Sequence, residues 1–503
     1  MAHLCADSTD VEMNNVIATR LISAQSVPVI GALILLLLSP RPAYPETPKP
    51  GQQRVVREQT ESGTNPQFLS ALQAYKSQEY ATAQKQLEAL VQKNAGNFEI
   101  NELLGLVYVA QGEQEKANRF LAKAVQIRPN LTEARTRLGT NFLALNQNDQ
   151  AAIQFKKAVQ LAPHDYDANH NLGEFYIQTG NISASIPFLQ RAQESNPAAY
   201  NNGYDLALAL DEAGRLDEAR QQLQRLISLR DSAELHGVLG EVEEKSQNYL
   251  ASAAQYEQAA RMDPSEQNIL NWGAELLLHQ TFAPAVEVFK AGTQRYPQSG
   301  QLYNGLGIAL YGEGQTDDAI RAYFRASDLM PSEQLSMIFV GKACEGASPV
   351  LADQIRARLQ SFLEQSDDSA ELDYDLAVCW LKTGQAGAKA DRDVQVESHL
   401  KHALLLNPNY GDAFFQLGAL YADQRKYAEA VEQYERALKI NPNAANTHYR
   451  LGQALARLGN DTRAQEELAI FQRLRKSESE ATDSKQNQIQ QFVYSIKNSN
   501  SNQ

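Results

Sequence analysis

The chain has 503 residues, 43% of them hydrophobic and 21% charged, enough apolar material to fold and more chain than one ordinary core holds. A formal net charge of −14 excludes nucleic acid and anionic lipid surfaces as principal partners, since those demand clustered Lys and Arg. Three cysteines, Cys5, Cys344 and Cys379, with no CxxC pair, exclude a disulfide-rich scaffold and a cysteine-based zinc site.

Residues 1–40 read as a signal peptide or an uncleaved N-terminal membrane anchor. Arg20 precedes an apolar run at 27–38, too short for a ~20-residue membrane span and suited to a leader core. A start at Met13 gives a better leader than a start at Met1. The cleavage site is not defined, and Cys5 precedes the apolar run, so it is not a lipid-bearing cysteine. Residues 41–63 form a linker opened by Pro42, Pro45, Pro48 and Pro50, which excludes helix there.

From residue 64 to 476 apolar residues recur three and four apart, with breaks at Gly and Asn-Pro, so the segment is predicted helical throughout. Small residues and prolines repeat with a fixed period. Gly105, Gly139 and Gly173 are spaced by 34, as are Pro129, Pro163 and Pro197. Two antiparallel helices pack closely only where a side chain is small. Gly139 is therefore expected to face Ala151, and Ala158 the first helix of the following repeat, with Phe142 and Phe155 filling the space between. Pro163 ends the second helix.

These residues resemble the tetratricopeptide repeat family. The resemblance lies in "LLGLVY" with Ala117, Ala124 and Pro129, in "LGTNFL" with Ala151, Phe155, Ala158 and Pro163, and in "LGEFYI" with Ala192 and Pro197. It recurs in "LGIALY", containing Gly307, and most fully in "FFQLGALYADQRKYAEAVEQYERALKINP", residues 414–442, with Gly418 and Pro442. Looser copies begin near 64, 200, 233, 266, 370 and 445. Eight repeats are expected over 64–333 and a degenerate one over 334–369, where Gly341 keeps phase but the second-helix alanines are lost. Three more follow over 370–476, with an insertion near 386–394 ahead of a second helix. The tail 477–503 is expected to be flexible except for a capping helix at 488–497, where Ile489, Phe492, Val493 and Ile496 make an apolar stripe.

The resemblance implies an all-α, right-handed superhelical solenoid of about twelve helix-turn-helix repeats, whose concave groove takes an extended peptide or a partner helix. It places Glu102, Glu174, Asp205, Asp211, Glu212, Glu241 and Glu244 in that groove, beside Tyr204, Ile177 and Leu143. Asn171 and Asn271 hold a position from which family members hydrogen-bond a bound backbone. Such a surface favours basic or basic-apolar protein segments. The Lys/Asn/Arg clamp for a C-terminal carboxylate is missing.

No catalytic motif and no cofactor site is expected. His399 and His402, three apart on a helix, lack a third metal ligand. His164, Asp165, Asp167 and His170 straddle Pro163, where turn and cap residues belong. Cys344 and Cys379 fall on neighbouring first helices whose axes should lie ~8–10 Å apart, so both are expected reduced and buried unless the geometry is favourable for a disulfide. The reading is a non-catalytic scaffold of a bacterial-type envelope, exported or tethered outside the inner membrane. The alternative is an accessory subunit of an envelope biogenesis, polysaccharide or secretion enzyme.

Overall fold

A computed structural model describes residues 65–365, 369–382 and 389–477. The expected leader or anchor, the linker and the 488–497 helix lie outside the described residues. Among the described residues there is no strand, and no helix is long and apolar enough to cross a membrane.

The first unit ends at Gln255 and the second begins at Tyr256. In the first unit the helices run α1 (Pro66–Lys76), α2 (Tyr80–Lys93), α3 (Phe98–Ala110), α4 (Gln114–Ile127), α5 (Thr132–Ala144) and α6 (Asn148–Leu161). They continue as α7 (Tyr166–Gln178), α8 (Ile182–Ser195), α9 (Tyr200–Glu212), α10 (Leu216–Leu229), α11 (Ala233–Lys245) and α12 (Tyr249–Met262), inside which the division falls. The second unit holds α13 (Glu266–Leu278), α14 (Phe282–Arg295), α15 (Gly300–Gly312), α16 (Thr316–Leu329) and α17 (Gln334–Lys342). After a 3₁₀ turn, Ala343–Gly346, come α18 (Pro349–Leu363), α19 (Ala370–Lys382), α20 (Lys389–Leu406), α21 (Gly411–Asp423), α22 (Tyr427–Ile440), α23 (Ala445–Arg457) and α24 (461–477). Odd-numbered helices up to α17 are first helices of pairs, and the sense continues from α19 to α24.

Two local devices set each pair. First helices are capped by short polar side chains: Asn97 accepts from the Ile100 amide, Asp165 from Ala168 and Ser299 from Leu302. The turn between the helices of a pair needs a left-handed residue. Gly112 (φ 76°) and Gly314 (φ 75°) supply it at no steric cost, whereas Asn146 and Arg425 adopt it with a side chain (φ 56° and 61°). Buried Asn169 pins the turn between pairs, donating through Nδ2 to the Pro163 and Asp165 carbonyls at 2.9 and 2.8 Å.

The packing rule differs from the expected one. Gly139 faces the ring of Phe155, not Ala151: a Cβ at 139 would lie 2.8 Å from that ring. The same opposition of glycine to a large residue sixteen positions later joins Gly105 to Leu121, Gly173 to Leu189, Gly307 to Tyr323 and Gly418 to Tyr434. A large side chain on the second helix needs its room taken from the first, because cores keep total volume. Ala151 and Ala158 are wholly buried within the second helix α6. Gly139→Leu should therefore destabilise by about 1–3 kcal/mol. Gly237→Leu, where nothing lies within 4 Å of the added Cβ, should not. Equal unfolding temperatures for the two variants would contradict this packing.

Two further expectations are corrected. Residues 389–394, expected to precede a second helix as an insertion, form the first turns of α20. Cys344 and Cys379 are disulfide-bonded, with Cα atoms 5.6 Å apart. The interhelical spacing that argued against a bond assumed an uninterrupted first helix. Instead α17 stops at Lys342, and the 3₁₀ turn carries Cys344 against α19. Thiol titration of the unfolded, unreduced full-length chain should find one free thiol, from Cys5, and none once residues 1–40 are removed; two more in either case would refute the bond.

Candidate partner-binding groove

Within each unit successive first helices approach one another directly, α5 with α7 and α13 with α15 among them, while successive second helices do so less. The side on which helices converge is the inner side, so the first helices line the concavity of each unit.

In the first unit this face is more self-contained than the register alone implies. Glu102, expected to face a ligand, is 3% exposed and forms an ion pair with Arg137 of α5, itself 6% exposed. Burial raises the Glu102 carboxyl above the usual range, opposed by the Arg137 charge and hydrogen bond. Asp211 is buried and accepts from Lys245 Nζ at 2.7 and 2.8 Å, and the same ammonium lies 2.7 Å from Glu241. Tyr204 is buried, and burial, with Glu234 adding to it, raises its hydroxyl well above the usual range. Asn171 donates to the Asp167 carbonyl at 2.6 Å, and Asn271, in the second unit, accepts from Gln267 at 2.7 Å. Glu244, Ile177 and Leu143 are half-buried.

What the first unit offers a ligand gathers around α7 and α9. His170 stacks on Tyr166 with ring centroids 5.4 Å apart, and its Nδ1 lies 3.1 Å from Asn202 Oδ1. Asp205 is half-buried beside them, its carboxyl pushed up to about 6 by burial, with His170 opposing and Glu174 adding to the rise. Glu174 is half-buried and accepts from Gln178 at 3.1 Å. This is an acidic and aromatic surface, suited to basic and apolar side chains.

The polar clusters flagged by sequence resolve differently. Asp165 is a helix cap, and the His164 carbonyl accepts from Ser195 Oγ at 2.7 Å, so the residues around Pro163 do not converge. His399 and His402 do share a third group, the buried Asp373 of α19. Its two oxygens lie 2.9 and 2.6 Å from the respective Nδ1 atoms. The carboxylate, twenty-six residues before His399, had no signal in the local spacing. With both oxygens engaged by imidazoles, Asp373 fastens α19 to α20.

The stacked helix pairs define an α-helical repeat solenoid. Sequence profiles described as tetratricopeptide repeat match residues 68–131, 142–202, 204–267 and 270–332, and a TPR repeat profile matches 420–459. The chain belongs to the tetratricopeptide repeat family. No curated protein matches it in sequence. Among solved structures, Naa15/Naa10 bound to HypK-THB is 15% identical, covering 80% of this chain and 68% of that one, with a TM-score of 0.38. The APC/C hetero-tetramer Cut9-Hcn1 is 17% identical over 83% and 95%, with a TM-score of 0.37. YrrB, described as a TPR protein with an unusual peptide-binding site, is 19% identical over 38% and 97%, with a TM-score of 0.35. Likeness at this level carries no statement about ligand or partner.

Proposed function

We propose that the protein is a non-catalytic interaction scaffold that receives peptide or helical segments of protein partners on its first-helix surfaces. The observation that carries this reading is the concave face of the first unit, where Glu174, Asp205, Tyr166 and His170 stand together outside the helix-packing core. A repeat array spends its apolar residues on its own neighbours, which leaves the inner face for recognition. Acidic groups there favour basic or basic-apolar segments and speed their encounter.

The setting we propose is the cell envelope, reached by export or tethering through the N-terminal segment. The Cys344–Cys379 bond supports it, because structural disulfides persist in oxidising compartments and are rare in reducing ones. The apolar run at 27–38 supports it independently.

Cross-linking in the native cells, read by mass spectrometry, tests the reading against a Glu174→Lys/Asp205→Lys variant. Glu102 is buried, so a lysine there would disrupt the fold rather than the surface. Partners should cross-link to first helices and be lost from the variant. Partners retained by the variant, with cross-links on second helices, would overturn the groove. One partner recovered in equal amount would make the chain an accessory subunit.

A further inference from the structure

The last described helix pair, α23 and α24, departs from the repeat at the places that admit a following pair. In most second helices a small residue stands where the next first helix packs. Ala158 of α6 and Ala437 of α22 are buried there, and a Cβ on Gly292 of α14 would lie 3.2 Å from Leu302 of α15. Phe471 holds this place in α24, standing to the buried Ala464 as Ala437 stands to Ala430. Its bulk leaves no room for another regular first helix. Lys476 stands one period beyond Pro442, and without the proline α24 runs on to residue 477.

The face left by these changes is apolar. Phe471 meets Tyr449 of α23 with ring centroids 5.0 Å apart and planes at 41°. Phe471 and Leu474 are half-buried, and Tyr449 keeps 37% of its surface exposed. Ala456, two turns beyond Tyr449 on the same face of α23, is exposed as well. The chain carries a matching segment. Ile489, Phe492, Val493 and Ile496 recur three and four apart, and Lys497 is the one charge within 488–497. Residues 478–488 reach up to about 40 Å when extended, against a length of about 25 Å for α24. A tether of this length holds the segment at an effective concentration on the order of 1 mM, well above that of a second copy in dilute solution.

We propose that residues 488–497 of the same chain dock as a helix on this face, with Phe492 and Val493 against Tyr449 and Phe471. The ring that excludes a further repeat becomes the floor on which a single helix rests, and aromatic contacts supply the affinity. The docked segment keeps an apolar face of the array from associating with another copy.

Hydrogen exchange of the purified full chain, read by mass spectrometry, tests the docking. Peptides from α23 and α24 should exchange about tenfold faster in Phe492→Asp/Val493→Asp than in the wild type, while peptides from α7 exchange equally in both. Residues 488–497 should be protected in the wild type, and Tyr449→Ser should raise their exchange by a similar factor. Light scattering on the same samples identifies the occupant, and the protected wild type should be a monomer. Equal exchange of α23 and α24 in the two chains, or residues 488–497 that exchange freely in the wild type, would overturn the proposal. Protection confined to a dimer would overturn it too, because the occupant would then be a second copy.

Discussion

Arg137→Met should lower the stability of the first unit by about 3–5 kcal/mol, because it strands a buried carboxylate. Glu102 is 3% exposed, and Arg137 is the partner that opposes its upward shift. Methionine keeps most of the arginine stem's packing, so the loss reads chiefly the uncompensated charge. Glu102→Gln/Arg137→Met should recover most of it, since a neutral pair of similar volume avoids the desolvation cost. Urea unfolding followed by circular dichroism measures both. The deficit of the single variant should shrink as pH falls, because protonating Glu102 removes the stranded charge. A single variant as stable as the wild type at neutral pH would mean that water reaches Glu102.

Asp375→Asn should stabilise the second unit, and by an amount that depends on pH. Burial pushes the Asp375 carboxyl up to about 7 from its ordinary value of 3.8, with Lys342 opposing the rise and Glu371 adding to it. Below about pH 4 the group is protonated in folded and unfolded chains alike and contributes nothing. Between about 4 and 7 the unfolded chain has lost the proton that the folded chain keeps, so wild-type stability falls as pH rises. Above 7 the penalty is complete, at about 4 kcal/mol from the size of the shift. The variant lacks that slope, so its advantage should grow from pH 4.5 to 7.5 and then level. Trp380, on the same helix, reports the local transition in a Trp272→Phe background. An advantage constant across that range would show that Asp375 is ionised in the fold throughout.

Much of the fold was legible because small residues and prolines at a 34-residue period admit few arrangements of paired helices. The error at Gly139 came from matching small with small, whereas packing at constant volume sets glycine against Phe155. The pairings along the first helices were not legible, and Glu102, Tyr204 and Asp211, expected to face a ligand, are buried. Glu102 and Arg137 are separated by a whole repeat, as are Asp211 and Lys245, and nothing local marks either as a pair. Asp373 likewise meets His399 and His402 only once α19 and α20 are laid together. The disulfide was missed because the apolar run around Phe339 and Val340 gives no hint that α17 stops at Lys342. Asp375 was overlooked for the complementary reason: an acid at a surface register position looks solvated until its neighbours are placed.

The Cys344–Cys379 bond also bears on how the second unit responds to pulling. In an array each repeat leans on its neighbours, so a stretched chain gives way first where the packing is least regular, here the repeat that has lost its second-helix alanines. The bond closes a sequence separation of 35 residues across that place. Tension along the chain passes through the two sulfurs and bypasses α18 entirely. About 120 Å of extended chain is thereby withheld from any stretch until the bond is reduced. The irregular repeat, mechanically the weakest link, becomes a spliced joint that transmits load without lengthening.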